Sequence, residues 1–511
     1  MGRALRLTAA LAGATCLASP AYADTLKEAL TQAYYDNPSL EAARAQQRAL
    51  DESVPIQRSQ GLPSVNSTTT YNEFLVQNST SFIAPQRQLN AGVDLAVPLY
   101  QGGAVKYGIR AAENRVEAGR ADLRGTESFV FTQVVAAYMN VILNEALVSL
   151  SANNVDVLSI NLEATSDRFE IGDLTRTDVA QSESRLALAR SDLRSAQANL
   201  VSAREDYIAL VGEAPTNLEP PPPLPGLPES PEVAVDVALE NNPDLLAAQE
   251  RAVASGYDIE VAGAGRLPTF SAFTNGGYQN FLGTLGAVPG ATADQTATSA
   301  TAGIRMTLPL FQGGRVAAQQ RQATAQAQAA LEQVIATERD VIAQVRAAYS
   351  SWRAANAIIA SSQAAVDAAA LSLEGVRAEN TVGNRTVLDI LDAQQELLRA
   401  QVQLVTARRN AYVAGFSLLA AMGKAEARDL GLGDEGVLYD PIDNYERVRG
   451  IIWDWQRDPE PVVSSSRTVD IPAPDGEIED EEPLEEFETE IIDYSDTAPP
   501  PLDTPVSTQG D

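Results

Sequence analysis

The stretch Val97-Pro98-Leu99-Tyr100-Gln101-Gly102-Gly103 returns 211 residues later as Leu308-Pro309-Leu310-Phe311-Gln312-Gly313-Gly314. An alternating run leads into each copy. Leu89, Ala91, Val93, Leu95 and Val97 alternate with Asn90, Gly92, Asp94 and Ala96; in the second copy Ala302, Ile304, Met306 and Leu308 alternate with Gly303, Arg305 and Thr307. A period of two is a strand with one apolar face. Beyond each junction proline disappears: none occurs between Pro98 and Pro215 or between Pro309 and Pro441, in a chain that has 28. Such exclusion means helix, because proline lacks the N–H and clashes with the preceding turn. A helix from about Gly103 to Phe169 rises about 100 Å, so it must pack along its flank rather than into a globular core. The paired glycines permit the bend from strand to helix, and Tyr100 and Phe311 are placed for a membrane interface.

The duplication extends outward from this junction. Asn37-Pro38 answers Asn242-Pro243 and Leu62-Pro63 answers Leu267-Pro268 at an offset of 205, and the six extra residues fall between two candidate strands. From the junction on, the offset stays at 211: Gln133 to Tyr138 matches Gln344 to Tyr349, and Gly172 to Asp178 matches Gly383 to Asp389. The expected organisation is a signal peptide over 1–23 and a first repeat over 24–214, with strands near 64–76 and 89–99 and a helical hairpin turning near 170–177. A stiff Pro-rich linker over 215–231 leads to a second repeat over 232–430, with strands near 269–278 and 300–310 and a turn near 381–388. The return helices carry heptads. Val179, Leu186, Leu193, Leu200 and Tyr207 run beside Ser182, Ala189, Ala196 and Ala203; Ile390, Leu397, Leu404, Ala411 and Leu418 run beside Ala393, Ala400, Ala407, Ala414 and Ala421. A seam of small residues lets two backbones approach closely.

Composition narrows the function. Arg3 and Arg6, the apolar run from Leu7 to Leu17 and Ala21-Tyr22-Ala23 read as an export signal. The single cysteine, Cys16, lies inside it, and the chain has no histidine. The commonest general base, the thiol nucleophile and most zinc ligands are therefore missing, no Gly-x4-Gly-Lys-Ser/Thr phosphate loop is present, and neither an enzyme nor a cofactor is expected. A net charge of −31 disfavours nucleic acid. No run after residue 23 has the roughly 18 to 20 consecutive apolar residues of a transmembrane helix. Asp475 to Asp496 holds twelve acidic residues and no basic one, so 457–511 reads as a disordered solubilising tail. Residues 431–456, with Tyr445, Trp453 and Trp455, read as a segment packed against the helices.

The alternation alone also fits a soluble antiparallel hairpin in a secreted, non-channel coiled-coil protein of structural or adhesive kind. If the strands cross a membrane, four per chain cannot close a barrel, and an open edge cannot sit in lipid, so several chains must share one. The duplicated Pro-Leu-aromatic-Gln-Gly-Gly junction, the Gly-x5-Asp turns and above all Val382-Gly383-Asn384-Arg385-Thr386-Val387-Leu388-Asp389-Ile390-Leu391-Asp392-Ala393 resemble the TolC family of outer-membrane exit ducts over residues 24–430. That resemblance implies an α+β membrane protein: a homotrimer whose strands make one 12-stranded barrel in outer-membrane lipid and whose antiparallel coiled-coil helices make a periplasmic α-barrel. It further implies a periplasmic adaptor (membrane fusion) protein at the tips and an inner-membrane transporter of the RND or ABC class, serving efflux or type I secretion.

The tips carry the candidate site. Gly172-Asp173-Leu174-Thr175 and Gly383-Asn384 with Thr386 are the expected adaptor contacts. Thr175-x-x-Asp178 and Thr386-x-x-Asp389 fit the pattern that caps a new helix, which by itself accounts for both acids. Arg385 and Asp392 differ, because their first-copy counterparts are Leu174 and Gln181 and the fold accepts uncharged residues there. Asp389 and Asp392, three residues apart on one face, would put six carboxylates around a threefold pore, a cation-selective ring. Arg385 is placed to pair with Asp389 locally or, as the family's closed state implies, with Asp178 of a neighbouring hairpin. Phe169 holds the aromatic place before the first turn glycine. The second copy has Asn380, a departure from the family's tyrosine latch.

Overall fold

The computed structural model describes residues 25–76, 84–286, 294–434 and 438–473; the expected signal peptide and the acidic run from Asp475 lie outside them. Helices α1 (Leu26–Asp36), α2 (Pro38–Asp51) and α3 (Ser53–Ser59) precede strands β1 (Ser64–Glu73) and β2 (Arg87–Gln101) and helices α4 (Ala104–Glu170) and α5 (Arg176–Val211). The order returns as α6 (Pro231–Asn241), α7 (Pro243–Ala264), β3 (Thr269–Asn280), β4 (Thr296–Thr307), α8 (Arg315–Thr381) and α9 (Val387–Ala421), with α10 (Pro441–Val448) after it. Both α4 and α8 have 67 residues, about 100 Å of helix.

The strands form one antiparallel sheet in the order β1-β2-β3-β4. Its limits differ from the expected ones. The central strand β2 runs on to Gln101, passing Pro98 by a register shift before Tyr100 pairs with Phe270 and Gln101 with Thr269. A proline inside a central strand needs such an irregularity, since it cannot donate to the ladder. At the other edge β4 spans 296–307 rather than 300–310, because Thr307 already pairs with Thr269, the first residue of β3. Leu308, Pro309 and Leu310 have no strand beside them. β1 stops at Glu73, paired with Arg87 at the start of β2. No core covers either face: Val65, Tyr71, Val93, Ile304 and Met306 are all exposed. A sheet of a water-soluble domain buries its apolar face, and this one does not.

The main core lies partway down the long helices. Phe131, Val134, Val135 and Tyr138 of α4 are sealed among Leu30 and Tyr34 of α1, Tyr207 of α5, Phe416 of α9 and Leu432 beyond it. The duplicated tyrosines fasten the Pro-rich segment at both ends. Tyr138 Oη donates to the carbonyl of Glu219 at 2.6 Å, and Tyr349 Oη to that of Glu229 at 2.8 Å. The duplicated Asn-Pro pairs do double service. The side-chain oxygen of Asn37 accepts from Ser39 and Leu40 N–H to cap α2, while its amide donates to Leu210 O at the end of α5. Asn242 does the same between α7 and Ala421 O at the end of α9. One buried side chain thus satisfies groups orphaned at two helix ends.

Below this core the helices pair through their small seams. Ser182, Ala189, Ala196 and Ala203 of α5 are buried, and so are Ala400 and Ala407 of α9, while Ala393, Ala414 and Ala421 are half-buried. Leu331, Ile335, Ile358 and Leu371 of α8 point outward uncovered.

Two expectations for the C-terminal part change. Residues 457–473 do not start a free tail: Ser464 Oγ donates to Glu41 at 3.2 Å and the Ser466 N–H to Asp36 at 2.7 Å, laying the strand of chain along α1 and α2. The bonded partners are side chains, which composition alone does not reveal. Of the segment 431–456, α10 packs, with Val448 buried and Asn444 donating to Asp51 at 2.7 Å, but Trp453 and Trp455 do not.

One buried acid ties this region together. Glu127 of α4 accepts the Ala427 N–H at 2.6 Å. Burial, only partly offset by that bond and aided by the neighbouring Glu426, pushes its carboxyl up to about 7. A carboxyl raised above its unfolded value contributes stability that is complete at acid pH and lost as pH rises through about 7. The melting temperature is therefore expected to rise between about pH 7.5 and pH 5.5, by an amount worth at most about 2 kcal/mol. Circular dichroism melts of the protein and of Glu127→Gln check this; the variant keeps an acceptor for Ala427 and should show a shallower pH slope.

Candidate functional site: the helical tips

Each long helix ends in the same way. Gly172 (φ +84°) and Gly383 (φ +80°) take the left-handed conformation that stops a helix. The N–H groups of Asp173 and Asn384 reach back to the carbonyls of Arg168 and Glu379 at 2.9 and 3.0 Å. The next helix is opened by a reciprocal cap. Thr175 and Asp178 exchange bonds at 2.9 and 3.4 Å, and Thr386 and Asp389 at 2.8 and 3.2 Å. These bonds hold both carboxyls below the usual carboxylate range. The Thr175 hydroxyl leads for Asp178, and the Thr386 N–H for Asp389.

A close ion pair staples each turn, with opposite polarity in the two copies. Arg168 reaches Asp173 at 2.7 Å; in the second copy Glu379 stands where Arg168 does and takes Arg385 at 2.7 Å. Arg385 lies 3.9 Å from Asp389, and its nearest carboxylate is the unexpected Glu379. Asp178 is occupied with Thr175 and does not meet Arg385 within the chain. Asn380, in the aromatic place, donates to the carbonyl of Arg385 at 2.7 Å and so closes its own turn.

Asp392 bonds Arg185 of α5 at 2.8 Å, while remaining well exposed. Beside it Asn161 donates to Gln394 at 2.8 Å, and Leu158, Leu186, Ala189 and Leu391 form a small core. The two hairpins of one chain are thereby joined just above the tips. The tips themselves stand clear: nothing lies within 4 Å of where a side chain on Gly172 or Gly383 would begin. Asp173, Thr175, Asn384 and Thr386 are exposed and Leu174 is half-buried. Equivalent aliphatic residues crown both turns, Ile171 at 80% exposure and Val382 at 70%. Sequence reasoning passed over these two, although their matched positions 211 residues apart were a usable signal.

Two hairpins of this length on a bare sheet are matched, over residues 29–213 and 234–424, by the family model described as outer membrane efflux protein. The chain belongs to the outer membrane efflux protein family. This efflux protein is 32% identical to the outer membrane efflux protein BepC of Brucella suis biovar 1, over 86% of its own length and 93% of BepC. It is 26% identical to the outer membrane protein TolC of Vibrio cholerae, over 81% of the chain and 94% of that relative. The crystal structure of the Campylobacter jejuni outer membrane channel CmeC has the same fold, with a TM-score of 0.68 at 16% identity, covering 83% of this chain and 89% of CmeC. The efflux protein is thus a protein of the outer membrane.

Proposed function

We propose that the protein is a passive exit duct, a homotrimer that conducts substrates to the exterior from an inner-membrane transporter and its periplasmic adaptor, in a tripartite pump or a type I secretion system. The uncovered four-stranded sheet carries this reading. Its free edges are β1 and β4, and lipid tolerates no free edge, whereas three copies edge to edge supply enough strands to close a barrel. The outward aliphatic residues of α8 are the surface against which a neighbouring protomer's helices would pack to wall the tunnel. At the far end the exposed Ile171 and Val382 crowns, with Gly172, Asp173, Leu174, Thr175, Gly383, Asn384 and Thr386, form the surface offered to the adaptor. Asp389 and Asp392 form the selectivity ring, and Arg385 and Asp178 flank it.

Purified protein in detergent is expected to run as a heat-labile trimer on electrophoresis and to give discrete conductance steps in planar bilayers. A monodisperse monomer without conductance would refute the duct.

A further inference from the structure

The loop after α10 exposes a cluster of large apolar side chains outside the sheet. Its base is fixed. Val448 is fully buried, Tyr445 lies under the guanidinium groups of Arg120 and Arg449, and Arg447 clasps Asp458 through two bonds of 2.9 Å. Between the clasped ends the chain makes a tight turn, the Gln456 N–H donating to Trp453 O at 3.2 Å. At the crest Ile452, Trp453 and Trp455 are 68%, 68% and 76% exposed. A loop so firmly held, with its largest apolar side chains turned outward, is built to meet something.

Its height in the molecule says what. Arg58 of α3 donates to Arg449 O at 2.7 Å, and β1 begins at Ser64. Gln57, next to Arg58, lies against Gly108 of α4, about 6 Å along the helix axis from its first residue Ala104. The base of the loop therefore stands near the level of the foot of the sheet, where Leu99 and Tyr100 are exposed as β2 enters the junction. Tryptophan prefers this depth, its ring in the acyl boundary and its N–H among headgroups. Arg457 flanks the crest with charge suited to lipid phosphates, Arg449 being paired with Glu446 at 2.6 Å, and Asp454 between the two indoles keeps the insertion shallow.

We propose that residues 449–457 dip into the periplasmic leaflet of the outer membrane, with Trp453 and Trp455 as interfacial anchors and phospholipid as the partner. The inference rests on the sheet crossing that membrane.

The chain has three tryptophans, and the third is a built-in reference. Trp352 is packed edge-on to Tyr349 at 5.8 Å, about 55 Å of helix below the start of α8. The full chain is reconstituted in phosphatidylcholine vesicles, with and without bromine on the acyl chains near the headgroup. Bromolipid is expected to remove about half of the emission, since two of three indoles sit at the interface. Trp352→Phe should raise the quenched fraction, and the double change Trp453→Phe, Trp455→Phe should abolish quenching. Emission insensitive to bromolipid but quenched by aqueous acrylamide overturns the proposal, leaving the crest in water. Emission insensitive to both overturns it in favour of burial against a neighbouring protomer. Conductance of the same vesicles separates failure of this inference from failure of the duct itself.

Discussion

Changing Asp389 and Asp392 together to asparagine is expected to lower the cation selectivity of the pore about five- to tenfold in 0.1 M salt. A carboxylate roughly 9 Å from a pore axis contributes about 0.5 kcal/mol to a cation there in water, and six of them, cut by more than half by screening, about 1 kcal/mol. The effect should grow at 0.01 M and nearly vanish at 1 M, as the screening length falls. Asparagine rather than alanine is the informative change at Asp389, whose carboxylate also caps α9 through Thr386 at 2.8 Å. An amide oxygen keeps that cap, so selectivity changes without a loss of helix stability. At Asp392 the same change leaves the charge of Arg185, 2.8 Å away, without its partner. Because Asp389 is held below the usual carboxylate range, its share of the selectivity should persist as the solution is acidified to the pH where a free aspartate is half-protonated. Reversal potentials in a salt gradient measure all of this; unchanged potentials would remove both residues from the lumen.

Gly423→Ala is expected to destabilise the protein by more than about 3 kcal/mol and to prevent recovery of folded protein. Gly423 has φ +70°, and a side-chain carbon there would lie 2.4 Å from the carbonyl oxygen of Asn241 and 2.6 Å from its carbon. Both obstacles are backbone, held by the Asn242 cap between α7 and α9, so neither can swing aside. Gly383→Ala makes the matched comparison. Its φ is +80°, but open space surrounds it, so only the left-handed conformation is penalised, at about 1 kcal/mol. Urea titrations of the two variants give the difference, and equal losses would show that the packing around Gly423 yields.

The scaffold was legible because its determinants are local and duplicated. Proline exclusion marked α4 and α8, alternation marked β2 and β4, and the repeated glycines marked the ends of the hairpins. Strand limits were less legible, because pairing decides them: β4 stops where β3 offers Thr269 and nothing beyond. Ion-pair partners at the tips depend on which helices lie side by side. Arg185 was missed as the partner of Asp392, although comparison of the copies held the clue. Its counterpart is Glu396, as that of Asp392 is Gln181 and that of Glu379 is Arg168. Positions where two copies of one unit differ in charge are positions that the common fold leaves free. The strip of chain over 457–473 and the exposed tryptophans were illegible for the opposite reason, since no second copy exists against which to read them.

The bond between Arg185 and Asp392, the Asn161–Gln394 pair and the small core beside them have a mechanical meaning. They bolt two hairpins into a four-helix arm about 54 Å long from tip to main core. Joined in this way, the two hairpins are expected to move as one unit. A tilt of about 5° at its upper end would carry the tips, and Asp389 and Asp392 with them, about 5 Å sideways.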